Sequence, residues 1–162
     1  MFTSKNDFLQ EWKQEASVTQ KVMDTLTDVS LKQEVTPDLY SIGSVAWHIT
    51  GATYYFPAQV GITFEVPDLR KEAPSSAAEI SETYKLVSDR LVEAVSEQVS
   101  DEKMNEMVNL FGMEMPVQAV FRLLIQHQAH HRGQLTVLMR QAGLKVPGVY
   151  GPSKEEMEAM KG

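Results

Sequence analysis

Hydrophobic residues along the chain recur at three and four over long stretches, the spacing of amphipathic helices. From about Ser4 to Asp28, Phe8, Trp12, Glu15/Ala16, Thr19, Val22/Met23 and Leu26 trace one stripe, diluted in its middle. Thr3 or Ser4 is a candidate cap for this helix. Ser30 to Tyr40 reads as a loop broken by Pro37. A second helix is predicted from about Ser41 to Gln59, with Val45, His48/Ile49, Ala52 and Tyr55/Phe56 on its inner face. Gly61 and Pro67 end it and open a long connection to Pro74. Ser75 to Val99 is the third helix, with Ile80, Tyr84, Val87, Leu91 and Val95 on one face. Ser75 or Ser76 caps it, and Glu79 is placed to complete a capping box.

Met104 to Met115 fits no helical period. Asn109-Leu110-Phe111-Gly112 reads as a tight turn, compatible with a small hairpin. Pro116 suits the first turn of a fourth helix, where its missing N–H costs nothing. That helix is expected to run to Ala142 and stop at Gly143. The tail LKVPGVYGP reads as an irregular strap, and Ser153-x-x-Glu156 as a capping box opening a short last helix. Four long helices without a strong strand pattern predict an all-α four-helix bundle. The second connection is long enough to cross a bundle end, so up-down-up-down topology is not forced.

Composition narrows the chemistry. A chain of 162 residues, 43% of them hydrophobic, suits one domain with one sizeable core, taken here as residues 1–162. There is no cysteine, so disulfides, thiolate metal sites and a cysteine nucleophile are excluded. Any metal must use imidazole, carboxylate, carbonyl or water. A net charge of -7, with no Lys/Arg cluster, disfavours nucleic-acid binding. The start MFTSKNDFLQ carries no apolar signal core, and no apolar run approaches a membrane span. A cytoplasmic protein without nucleic-acid or membrane partners is expected.

The four histidines are His48, His127, His130 and His131, three of them in the segment HQAHHRGQL. His127 and His131 are four apart on one helix, so both can reach one ion. The stripe Val120, Leu123/Leu124, His127, His131, Leu135, Leu138 places them in the core-facing row. His48 takes an equivalent place between Val45 and Ala52. Imidazoles buried without partners are costly, and a shared ion removes that cost. Three neutral nitrogens suit Zn²⁺ or a similar first-row ion and leave a position for water or substrate. A lone core histidine is more often satisfied by a hydrogen bond, and i, i+4 pairs also arise by chance; two helices converging favour the metal.

Other residues read more weakly. His130 is expected to stand behind the ligands or at the rim of the site, still within reach as a ligand through its i, i+3 relation to His127. Trp47 reads as packing. Met104, Met107, Met113 and Met115 could line a pocket or fill gaps. Arg132 and Gln134 could orient ligands or a substrate acid group, or make helix-interface contacts. Gly133 suggests close helix approach, within the bundle or across a dimer. Tyr150 could reach the metal if the tail folds back. No phosphate-cradling loop, nucleophile motif or E-x-x-H pair is present.

The segments SVAWHITGATYY and HQAHHRGQLTVLMRQAGLKVPGVYGP resemble the DinB-like family of bacterial metal-binding bundles. This is the DNA-damage-inducible family, not the polymerase that shares its name. The sharp part is His127-x-x-x-His131-Arg132-Gly133-Gln134, joined to Ala46-Trp47-His48 and the P-G-x-Y-G-P tail. The resemblance implies up-down-down-up topology, often a homodimer, and one divalent ion, commonly zinc or nickel, on His48, His127 and His131. Related branches are S-transferases and isomerases that use bacillithiol or mycothiol; others have no established reaction. The leading expectation is a metal-dependent thiol S-transferase acting on small electrophiles. The alternatives are a hydrolase using metal-bound water, and a non-catalytic, stress-related dimeric bundle with a structural metal, its tail packed over the site.

Overall fold

The computed structural model describes residues 2, 4–37 and 39–161. Its elements are helices α1 (Lys5–Met23), α2 (Ile42–Gln59), α3 (Ala77–Gln98), α4 (Asp101–Met104), strands β1 (Met107–Leu110) and β2 (Met113–Pro116), then α5 (Val117–Gln141) and α6 (Lys154–Ala159). Each long helix except α5 starts at a serine. Ser4 caps α1 in a reciprocal box with Asp7, and Ser41 caps α2 with Ser44. Ser76 caps α3 by accepting the Glu79 N–H, one half of the predicted box. The alternative cap Thr3 lies outside the described residues.

Two boundaries differ from the sequence reading. α1 stops at Met23, five residues short of Asp28, because Thr27 and Ser30 bond to each other and open a single 3₁₀ turn at Ser30–Lys32. Pro116 stands at the N-cap of α5 rather than inside its first turn. The predicted hairpin is present. Met107 to Leu110 pairs antiparallel with Met113 to Pro116, leaving Phe111 and Gly112 as the turn. Both turn residues have positive φ, 53° and 84°. Glycine tolerates this; phenylalanine pays about 1–2 kcal/mol of steric strain. Gly143 at φ 76° ends α5 as expected, and the Ser153–Glu156 box opens α6.

Four helix pairs form the bundle: α1/α3, α1/α5, α2/α3 and α2/α5. Cross-contacts give their directions. Lys5 reaches Ser96 and Gln20 reaches Ser81, so α1 and α3 are antiparallel. Glu11 meets Arg122 and Thr19 meets Arg132, so α1 and α5 are parallel. Ile42 and Ile49 pack with Ile80 and Tyr84, while Val60 beyond α2 joins Leu91 and Val95, so α2 and α3 are parallel. The topology is therefore up-down-down-up. The connection 60–76 must retrace the length of α2, roughly 27 Å for 18 residues at 1.5 Å each, which explains its length. No described helix is long and apolar enough to cross a membrane.

The apolar core falls into two clusters. One centres on Phe8, Trp12, Leu91, Val95 and Phe121, with the Phe8 and Phe121 rings stacked at 4.3 Å. The other gathers Val22, Ile42, Ile49, Ile80, Leu135 and Leu138. Between them lies a buried polar layer. Tyr84 donates to Gln128 Oε1 at 2.7 Å, and Trp12 Nε1 donates to Ser88 Oγ at 3.1 Å. Arg132, 1% exposed, pairs with Glu15 Oε2 at 2.7 Å and donates to Thr19 Oγ1 at 2.9 Å.

Candidate metal centre

The buried row of α5 is Val120, Phe121, Leu124, Gln128, Arg132, Leu135 and Leu138. This corrects the expected stripe. At the polar level Gln128 and Arg132 face the core, and His127 and His131 sit one residue round, on the side toward α2. His48 is likewise not in the buried row of α2, which runs through Val45, Ala46, Ile49 and Ala52; its ring is exposed. The histidines thus line the α2/α5 seam at the edge of the core rather than replacing core side chains.

They nevertheless converge. Nε2 of His48 lies 3.0 Å from Nε2 of His127. Ring centroids are 4.8 Å apart for His48–His127, 4.6 Å for His48–His131 and 4.4 Å for His127–His131. One nitrogen from each lies within 4.8 Å of the others. Tetrahedral bonds of about 2.0–2.1 Å require ligand separations of about 3.3 Å, which these distances bracket. The donor set is all imidazole, with no acid in the cluster to balance a proton. His127 Nδ1 is buried without a hydrogen-bond partner. A cation shared at the seam suits such a set, and the residues present fit one divalent ion.

Burial and neighbouring charge keep His127 and His48 neutral. Burial, followed by the charges of His131, His48 and His130, holds His127 at about 4. Burial, then His131, also holds His48 below the ordinary imidazole value. Neutral rings are the ligand form. Gln134 orients the third: its Oε1 accepts from His131 Nδ1–H at 2.7 Å, which leaves the His131 Nε2 lone pair for a ligand role. The Gln134 amide nitrogen donates to exposed His130 Nε2 at 3.3 Å, so His130 stands outside the cluster.

A cavity of about 520 Å³ opens beside His48 and His127. Trp47, Ala52, Tyr55, Phe56 and Leu69 form most of its wall, and Phe111 reaches it from the hairpin tip. The sequence reading named neither Phe111 nor the connection 60–76 as part of a site; the signal available was an aromatic at a turn position that favours Asn or Gly. Trp47 is partly packed, its Nε1 donating to the Lys71 carbonyl at 2.9 Å.

Several expectations move elsewhere. Arg132 orients no ligand; it binds Glu15 and Thr19 on α1. Tyr150 does not reach the histidines: its hydroxyl meets Glu15 at 2.9 Å and Arg132. The tail consequently straps α5 to α1 and leaves the seam uncovered. Met104 is core, Met115 packs beside it, and Met107 and Met113 are exposed; none lines the cavity. A Cβ at Gly133 would meet nothing within 4 Å among the described residues, so none of their helices packs closely there.

Comparison with known proteins agrees with this architecture. The uncharacterized protein YrdA of Bacillus subtilis (strain 168) is 45% identical over 156 residues, which is 96% of this chain and 93% of that protein. The crystal structure of a DinB-like protein from Bacillus cereus ATCC 10987 superposes with a TM-score of 0.88 at 43% identity, covering 93% of this chain and all of the other. A DinB-like protein of Bacillus subtilis, YjoA, shares the fold with a TM-score of 0.70 at 18% identity, over 88% of this chain and 96% of its own. The DinB family model matches residues 1–162. With bundle topology, relatives and family model in agreement along its length, the chain belongs to the DinB family.

Proposed function

We propose that this protein is a cytoplasmic, divalent-metal-dependent enzyme of the thiol S-transferase type, acting on small electrophilic molecules. His48, His127 and His131 hold the ion, zinc or nickel. When bound, the ion supplies Lewis acidity that lowers the pKa of a thiol in its open position. The chain contributes no thiol, having no cysteine. The nucleophile is therefore a low-molecular-weight cosubstrate such as bacillithiol, kept reduced in the cytoplasm. Its sulfur forms a bond to the electrophilic carbon, the leaving group departs with the electron pair of its own bond, and the thiol proton passes to water.

The observation that carries this reading is the exposure of His48 at the mouth of the 520 Å³ cavity. A purely structural ion calls for a closed shell. Here the tail is tied through Tyr150 to Arg132 and Glu15. A homodimer belongs to the same reading, supported by exposed Val35, Leu39, Tyr40 and Val137, which line one apolar groove beside Gln134.

The test begins with metal content by mass spectrometry on untagged protein, wild type beside His131→Ala. Near one ion per chain in the wild type and little in the variant is expected. Loaded protein is then assayed with a thiol panel and a chromogenic electrophile. Turnover without any thiol would replace the transferase by a hydrolase. No turnover above the apo protein would leave a non-catalytic bundle.

A further inference from the structure

The hairpin tip carries a local conflict. Phe111 occupies the first central position of a two-residue turn at φ 53°, followed by Gly112 at φ 84°. Such a turn favours Asn, Asp or Gly at that position, because a Cβ at positive φ crowds the backbone. Phe111 is also 80% exposed, so its ring gains little from the core. A residue that is both strained and exposed suggests a functional use of the side chain. Its place is at the cavity, facing a wall of Trp47, Tyr55, Phe56 and Leu69.

The wall has a definite chemistry. Trp47 already donates its indole N–H to the Lys71 carbonyl at 2.9 Å, so it offers a ligand only ring surface. The charged residues on the lining, Lys71 and Glu72, are opposite in sign and favour neither a cation nor an anion. The volume of about 520 Å³ lies within the usual range of small-molecule sites, roughly 300–1,000 Å³. Ser44 and Gln59 also reach the lining, but the polar side chains that converge on one point are His48 and His127, their Nε2 atoms 3.0 Å apart.

We infer that this cavity binds a small, neutral, ring-containing apolar molecule, with Phe111 covering its outer end and the molecule's polar end at the histidine cluster. The position of the polar end rests on the metal reading above; the apolar body does not. In the transferase this molecule is the electrophile, held by its rings while its reactive carbon faces the seam. Phe111 is then a positioning and specificity residue, and its unfavourable backbone is retained for the contact its ring makes.

Three probes separate the halves of this inference. Acetohydroxamate carries a metal-binding head alone; 2-naphthohydroxamate adds a two-ring body; 2-naphthol carries the body alone. Binding is read by calorimetry and by Trp47 emission, the other tryptophan, Trp12, being fully buried. Zinc-loaded protein is expected to bind 2-naphthohydroxamate at least about tenfold more tightly than acetohydroxamate. 2-Naphthol is expected to bind both loaded and metal-free protein. Phe111→Asn, which suits the turn, should weaken both naphthyl probes roughly three- to tenfold, leave acetohydroxamate unchanged and raise the melting temperature. Tyr55→Ala should weaken the naphthyl probes independently. Equal binding of the two hydroxamates, with no 2-naphthol binding, would overturn the cavity inference while leaving the ion in place. Binding of 2-naphthol with no zinc-dependent gain for either hydroxamate would overturn the placement of the polar end and the metal reading with it. A Phe111→Asn protein that is less stable yet binds naphthyl probes normally would overturn the role of Phe111.

Discussion

Nε2 of His48 and Nε2 of His127 stand 3.0 Å apart across the α2/α5 seam. One hydrogen bond at most can join them, and a proton on either ring meets neighbouring imidazoles with no acid in the cluster. Burial, and after it the charges of these neighbours, holds His127 at about 4, against an ordinary value of 6.5. Because the folded value is depressed, the unfolded chain binds more protons between pH 6.5 and 4. Stability of metal-free protein should therefore fall as pH drops through that window and be fully reduced below it. His48, lowered in the same direction, adds to the effect. Urea midpoints from pH 7.5 to 4 test this, and His127→Asn should flatten the curve. Metal retention should be lost over the same descent, as protons displace the ion.

Gln134 accepts the Nδ1–H of His131 at 2.7 Å. This bond sets both the tautomer and the ring orientation of a proposed ligand. Gln134→Leu should weaken zinc binding roughly 10–100-fold, the usual cost of losing such a partner. Gln134→Glu, which keeps an acceptor oxygen, should recover most of it. Chelator competition measures both; an unchanged affinity in the leucine variant would remove Gln134 from the site.

The ion pair of Arg132 with Glu15 belongs to stability rather than to the site. Their side chains are 1% and 12% exposed. Removing one partner of such a pair costs about 3–5 kcal/mol, because the other charge stays buried. Arg132→Ala and Glu15→Ala should each lower unfolding stability by about that amount in urea, with zinc stoichiometry unchanged in the folded fraction. Tyr150→Phe should cost under about 1 kcal/mol, since that end of the network is open to water. Loss of metal without loss of stability in Arg132→Ala would reverse the assignment.

Phe111→Asn should raise stability by about 1 kcal/mol through relief of the strained turn. Reversible thermal unfolding gives the sign directly. A lower stability would mean that the ring contributes packing that its exposure does not suggest.

Much of the fold was legible in the sequence because its signals are short-range. Ser4, Ser41, Ser76 and Ser153 each bond a backbone N–H three residues on, so the helix starts could be read locally. The turn Phe111-Gly112 and the stop at Gly143 are equally local. The end of α1 was misplaced because Leu26 continues the apolar period while Thr27 and Ser30 divert the backbone.

The candidate site was legible in its members and not in its setting. The i, i+4 spacing of His127 and His131, and the motif they share with Gln134, are properties of the chain alone. Which face of α5 turns inward is not. The rows 127/131 and 128/132 both carry polar residues, both recur every four, and both continue into leucines. Arg132 won the core position because Glu15, 117 residues away, neutralises it there. That choice rotated the histidines to the seam, where His48, 79 residues from His127, could meet them. Sequence alone determined the starts of the long helices, their caps and the His127/His131 pair able to share an ion, since each depends on contacts within about one turn. The open side of the cluster, the cavity beside it and the place of Phe111 were decided by tertiary packing, because each depends on side chains that only the folded bundle brings together.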